Sequence, residues 1–377
     1  MGQSIAVMNT KGGVGKSTVV MAIAETLSAY HGKNVLVIDS DSQTSISSML
    51  MHISSWEHME RQNKTLVDYL MNMVLGPATA NWKDFIASGV SDVEDSRSVY
   101  LIPSHMELSL FEREVSAQKR EIDLRATVRS LLAETTRMFD VVIIDCPPGL
   151  SLLTECWLRE VQYFIPPTKP DYLAVRGLSI LKKFREQYSD QGFAELLGVL
   201  INLKDGRIAS EEDWHAQLRA DPENRCFSGH IPRRAYIQRA ADFEIGKRTY
   251  IAKYPGDAGQ SVRGVTLEIL SRLSGKPLEA PVAPARAPVA SAPPPKPAEA
   301  NAPVFLRPIP GPGSIGARPG IASTFATNTA GAMPQLRIAT PVRPTPAGPP
   351  PRPEIGPAAL RPEPPRPTVV EGKAGKS

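Results

Sequence analysis

The chain has 377 residues with 43 Lys and Arg against 39 Asp and Glu, a formal charge of +4, and its 36 prolines are unevenly spread. Only about ten of them precede Lys276, and large apolar residues thin out after it, so the last quarter cannot bury a core. Three cysteines, Cys146, Cys156 and Cys226, form no CxxC pair, which excludes a disulfide scaffold and fits a reducing compartment.

Charge divides the same way. After Gly275 Lys and Arg outnumber Asp and Glu by about seven, leaving the front part slightly acidic. No stretch approaches the ~20 apolar residues of a membrane span. The start, Met1-Gly-Gln-Ser, lacks the pattern of a signal peptide, so a cytoplasmic protein without stable membrane insertion is expected. Residues 1–275 are long enough for one α/β domain, and residues 276–377 are expected to be a disordered Pro/Ala/Arg-rich tail.

In chain order, short apolar runs bounded by turn residues predict strands at Ile5–Met8, Val35–Ile38, Val99–Ile102, Val141–Ile144, Tyr163–Ile165, Leu197–Ile201 and Cys226–Ile231. Helical spacing between them predicts helices at Ser17–Tyr30, Leu108–Val115, Leu124–Thr136, Gly177–Tyr188 and Val262–Leu273. This alternation predicts a mostly parallel twisted sheet with helices on both faces. Residues 51–95 follow no clean period and are expected to form short helices. Beyond Ser274 the Ala-Pro and Arg-Pro units cannot hold a helix or a central strand, because proline has no amide hydrogen.

The first strand runs into Asn9-Thr10-Lys11-Gly12-Gly13-Val14-Gly15-Lys16-Ser17-Thr18, which opens the first helix. In such a loop the amides of Gly12 to Thr18 turn inward around phosphate oxygens, Lys16 reaches the outer phosphates and the Ser17 hydroxyl ligates Mg2+. The second strand delivers Asp39 and Asp41 at its carboxyl end, the edge where ligands collect in an open parallel sheet. A carboxylate there can orient an attacking water or accept its proton. The run Val141 to Ile144 ends in Asp145, a Walker B arrangement that holds magnesium through water. Pro147, Pro148 and Gly149 then form a stiff loop suited to sensing the γ-phosphate.

Thr10 stands where the usual P-loop has glycine, and Lys11 precedes the glycine pair. The resulting KGGVGKS segment resembles the deviant Walker A ATPases of the ParA and MinD kind. The segments Asp39-Ser-Asp41-Ser-Gln43 and Asp145-Cys-Pro-Pro148 are similar to the DxDPQ and DCPP segments of ParA proteins, with Ser42 in place of the usual proline. Resemblance also runs through Leu101 to Ser104 with Leu108 and Glu112, Pro166 to Gly177, and Ile231 to Arg233, and so covers most of residues 1 to 272.

The resemblance implies a P-loop NTPase domain that binds ATP and Mg2+. It implies a slow, partner-stimulated ATPase in which Lys11 enters the partner subunit's nucleotide, so that ATP joins a homodimer. It gives Asp41 the water-activating role and Asp39 a place in the magnesium shell. It points to Asn202 and Pro232 at adenine. It implies nonspecific binding of nucleoid DNA by basic residues on one face, with Arg207, Arg233 and Arg234 as first candidates and Lys204, Arg239, Lys247 and Arg248 beside them; such contacts position without specifying sequence. The implied partner is a ParB-like stimulator or cargo adaptor, and the implied task is partitioning a plasmid, chromosome region or protein complex. A MinD-like membrane-associated switch is the alternative, although the last residues offer no amphipathic basic helix.

Overall fold

The computed structural model describes residues 1–188 and 192–276; the expected disordered tail and the membrane-anchor alternative concern residues outside this range. Strand β1 (Gln3–Val7) leads into α1 (Lys16–His31), β2 (Val35–Asp39), α2 (Ser45–Leu50), α3 (Ile53–Arg61) and α4 (Leu66–Leu70). A π-helical turn (Met71–Leu75) and a 3-10 turn (Trp82–Phe85) complete the short helices expected between residues 51 and 95. Next come β3 (Val99–Ile102), α5 (Leu108–Ala117), α6 (Glu121–Met138), β4 (Val141–Asp145), α7 (Leu152–Glu160), β5 (Tyr163–Ile165), β6 (Pro167–Thr168) and α8 (Tyr172–Gln187). The described chain ends with β7 (Glu195–Leu196), β8 (Leu200–Lys204), α9 (Ala209–Ala220), β9 (His230–Pro232), α10 (Ala235–Ala240), α11 (Tyr250–Lys253) and α12 (Gly256–Ser274).

Six strands form one sheet in the order β3-β2-β4-β1-β5-β7, and β6-β8-β9 form a second piece. Every pairing between these strands is parallel. Because side chains alternate across a strand, Ile5, Val7, Val37 and Ile143 pack on one face with Val19 and Ile23 of α1 and Val262 and Ile269 of α12. Ala6, Leu36, Ile38 and Ile144 pack on the other with Phe111, Val128, Leu131 and Trp157. Burial on both faces explains why these strands read as continuous apolar runs.

Two strand expectations are corrected. In the run Leu197–Ile201 only Leu200 onward is strand: the chain passes here from β7 of the first sheet to β8 of the second, and the Arg272 guanidinium takes the Leu197 carbonyl at 2.7 Å. In Cys226–Ile231 only His230 onward is strand: the Arg219 guanidinium takes the Phe227 and Ser228 carbonyls, and the Ser228 amide donates to Glu268 at 2.9 Å. Apolar character marked burial in both runs, whereas side chains take some of the carbonyls and amides that a continuous ladder would use. Helix α8 begins at Tyr172 rather than Gly177, capped by Asp171, whose Oδ1 accepts the Ala174 amide at 2.9 Å. Helix α9 escaped the periodicity reading because it buries only Glu211 and Leu218.

Among the described residues no helix is long and apolar enough to cross a membrane.

Candidate active site

The central strands β1, β2 and β4 end side by side, with Asp39 and Val7 each in register with Asp145. Their carboxyl ends are therefore where the loop of residues 9–15 and the two aspartate-bearing turns must meet. Gly15 caps α1 in the left-handed region at φ 81, and a side chain there would stand 2.6 Å from the Asn202 amide nitrogen. Only glycine suits both the backbone angle and the space. The first turn of α1 holds no acidic residue and receives no side-chain cap, so its free amides face an anion site with favourable helix dipole.

Lys16 is buried, and desolvation lowers its pKa against the opposing pull of Asp145 and Asp41. Asp39 is fully buried; its Oδ2 accepts the Ser47 amide at 3.1 Å and the Ser47 hydroxyl at 2.6 Å, yet burial still raises its carboxyl to about 7. Asp145 is fully buried as well, and burial followed by repulsion from Asp39 pushes its pKa well up. The Ser17 hydroxyl is near enough to favour the charged form, but neither carboxylate oxygen has a hydrogen-bond partner of proper geometry. Asp41 is 5% exposed, and its Oδ1 accepts the Gln43 amide at 2.9 Å. Asp145 and Asp41 thus share one ammonium, with Asp39 beside them. An orphaned buried carboxylate is costly, and the local excess of negative charge fits a divalent cation of the oxygen-seeking kind. Among the described residues no group of three or more His, Cys, Asp or Glu could by itself hold a metal, as expected where phosphate and water complete a magnesium shell.

The loop is braced from three sides, by contacts that the sequence reading did not assign. Asn9 Nδ2 donates to the Pro167 carbonyl at 2.8 Å, and its Oδ1 accepts the Lys11 amide at 3.0 Å. Helix α8 approaches so closely at Gly177 that a side chain there would stand 2.6 Å from Thr10 Oγ1. Asn202 Nδ2 donates to the Val14 carbonyl at 2.7 Å. Lys11 lies on Asp171, with Nζ 2.8 Å from both carboxylate oxygens. The proline loop is at hand too, since a side chain on Gly12 would meet Pro148 at 3.9 Å. Its thiol, Cys146, is buried and pushed up by desolvation, which suits a packing role better than a nucleophile.

Gly12, Gly13 and Val14 lie in the loop and Ser17 and Thr18 on the first turn of α1, while Pro232 stands on β9, buried and paired with Lys204. The basic candidates separate. Arg233 is exposed and Arg239 is exposed. Arg207 is exposed but forms two bonds to Asp205 at 2.9 and 2.7 Å, and Arg234 bonds Asp257 at 3.0 and 2.8 Å. Lys204 and Arg248 are corrected: Lys204 is buried against Glu212 at 2.9 Å, and Arg248 lies 2.8 Å from buried Asp92. Neither presents a free surface charge. Lys247 bonds the Ser91 carbonyl.

A family model for the AAA domain matches residues 2–196. Over 275 residues the chain is 27% identical to the chromosome-partitioning ATPase Soj of Treponema pallidum, covering 72% of this chain and 98% of Soj. The chain belongs to the AAA domain family, among the ParA/MinD ATPases. The chromosome partitioning protein ParA of Caulobacter vibrioides is also 27% identical, over 71% of this chain and 94% of its own. The solved structure of apo McdA from Cyanothece superposes with a TM-score of 0.58 at 19% identity, covering 72% of this chain and all of McdA; that likeness carries the fold alone. As a P-loop ATPase of the ParA/MinD family the chain uses ATP and Mg2+.

Proposed function

We propose that this ParA-type ATPase is a slow switch in which ATP joins two copies, the pair binds DNA without sequence preference, and a ParB-like stimulator or cargo adaptor triggers hydrolysis and release. The observation that carries the reading is the meeting of Lys16, Asp39, Asp41 and the unpartnered Asp145 carboxylate at the mouth of a glycine loop. The names of Soj and ParA as chromosome-partitioning proteins support the positioning role.

Residue roles follow from chemistry. The amides of Gly12 to Thr18 bind the phosphates, and Lys16 neutralises their outer oxygens. Ser17 and Asp145, with Asp39 behind them, would hold Mg2+, which when bound neutralises charge on the β- and γ-oxygens. Asp41 orients the attacking water and accepts its proton. Lys11 leaves Asp171 to reach the partner subunit's nucleotide, and Asn202 and Pro232 border the adenine. Arg233, with Arg207 and Arg234, supplies phosphate contacts on DNA.

A single experiment addresses the reading: electrophoretic mobility of plasmid DNA with the ATP-loaded protein at low and high salt. Retardation that needs ATP and weakens with salt is expected. Indifference to DNA at low salt with ATP bound would remove the DNA-switch reading.

A further inference from the structure

We propose that the groove between the Leu66–Leu75 helical segment and α5 is the docking site for a basic peptide segment with apolar anchors, carried by a partner protein, and that α5 relays its occupancy to the loop after β4. The proposal rests on the partner-triggered switch above and names where and by what chemistry the partner would act.

The groove has a volume of about 790 Å3. Met71, Leu75, Leu110 and Phe111 form its floor, and Met71 and Leu110 are 44% and 59% exposed. Apolar surface this open, collected in one cleft, is what a partner covers. Its rim carries Asp68, Glu107 and Glu114, and no lysine, arginine or histidine lines it. The residues Glu107, Leu110, Phe111, Glu114 and Gln118 fall at the spacing of one helix face. Helix α5 is 10 residues long, or about 15 Å, enough to lie along some three turns of a docked helix. Three carboxylates repel phosphate-bearing surfaces, so nucleic acid and anionic membrane are disfavoured and a cationic, amphipathic peptide is the complement.

The opposite side of α5 reaches the chemistry. Glu112 Oε1 accepts the Ser151 hydroxyl and the Leu153 amide, both at 2.7 Å. Ser151 caps α7, accepting the Thr154 amide at 3.2 Å, and follows Gly149 at the end of the proline loop whose Pro148 borders Gly12. A peptide that shifts α5 therefore moves the anchor of that loop without touching nucleotide.

The test uses a fluorescein-labelled amphipathic helical peptide of leucine and lysine, and its counterpart with glutamate for lysine, titrated by anisotropy into the nucleotide-free full chain. Against the parent, Leu110→Ser and the double variant Glu107→Lys/Glu114→Lys should weaken the lysine peptide by at least about tenfold, and the glutamate peptide should bind about tenfold more weakly still. A control reversal elsewhere, Glu57→Lys/Asp213→Lys, should leave affinity within about twofold. ATP turnover should change by at least about twofold on adding the lysine peptide, and Glu112→Ala should keep the binding and lose the change. Groove variants that bind like the parent, or a control that weakens binding equally, would overturn the docking site. So would a peptide-free oligomer, seen by sedimentation, that Leu110→Ser dissolves, since a second copy would then cover the groove. Unchanged stimulation in Glu112→Ala would overturn the relay. Binding in the groove without any ATP turnover would leave the site standing and sink the switch instead.

Discussion

Lys11 and Asp171 meet as a two-point ion pair, the ammonium 2.8 Å from each carboxylate oxygen, and the same carboxylate caps α8. Burial raises the Asp171 pKa, but Lys11, the Ala174 amide and Lys169 outweigh it and hold the carboxyl below its usual range. The lysine that would bind across a dimer is thus retained within its own subunit.

Removing that retention should favour the dimer. Asp171→Asn keeps a capping acceptor and removes the charge. Both side chains are about one quarter exposed, so the pair contributes about 0.2–1 kcal/mol. ATP-dependent dimerisation, measured by sedimentation velocity, should strengthen by up to about fivefold per subunit. Dimerisation equal to the parent's would mean that Lys11 is not held back. Lys11→Ala should abolish the ATP-dependent dimer in the same assay.

Asp41→Ala should separate binding from hydrolysis. Asp41 is nearly buried beside Lys16, and its carboxylate accepts the Gln43 amide within its own turn, so its loss leaves the glycine loop intact. Single-turnover hydrolysis should fall by at least about 100-fold, while equilibrium ATP binding and the dimer persist. Parent-like turnover would remove Asp41 from the chemistry.

What was legible in the sequence follows a physical line. Strands β1, β2 and β4 are buried on both faces, so their apolar runs marked them to within two residues at either end, and each leads into a site residue at its carboxyl end. Asp171 was not legible, because the helix was expected only from Gly177 and nothing local reveals that Lys11, 160 positions away, lies on this carboxylate. Gly177 was hidden likewise: its close approach to Thr10 is a property of helix packing. Lys204 and Arg248 misled because a basic residue in sequence carries no record of its carboxylate partner.

Asp39 should make the nucleotide-free, magnesium-free protein more stable in mild acid. Its folded pKa is about 7 against an unfolded value near 3.8. A raised folded pKa contributes stability that is full below the unfolded value and lost as pH rises through the folded one. Between about pH 4 and 7 the unfolding free energy should therefore fall by up to about 1.4 kcal/mol per pH unit from this group, and the melting temperature with it. Asp39→Asn should flatten that slope in calorimetric scans at several pH values, with chelator present. A slope unchanged by the substitution would place the titration elsewhere.

Lys253 should be the most costly charge to remove. It is fully buried, 2.7 Å from Glu25 Oε1 and 2.7 Å from Asp92 Oδ1. Tyr254 donates to Glu25 Oε2 at 2.6 Å, and the Ser91 hydroxyl donates to Oε1 at 2.7 Å. This network joins α1, the helix opened by the glycine loop, to the segment before α12. Lys253→Met leaves two carboxylates buried with one cation fewer, a loss of about 3–5 kcal/mol. For a domain of this size that lowers the melting temperature by about 5–9 °C. Adding Glu25→Gln removes one of the stranded charges, so the double variant should melt above Lys253→Met alone. A double variant that melts lower still would show that Glu25 keeps its full contribution without the lysine, and that hydrogen bonds from Tyr254 and Ser91, rather than the ion pair, hold α1 in place.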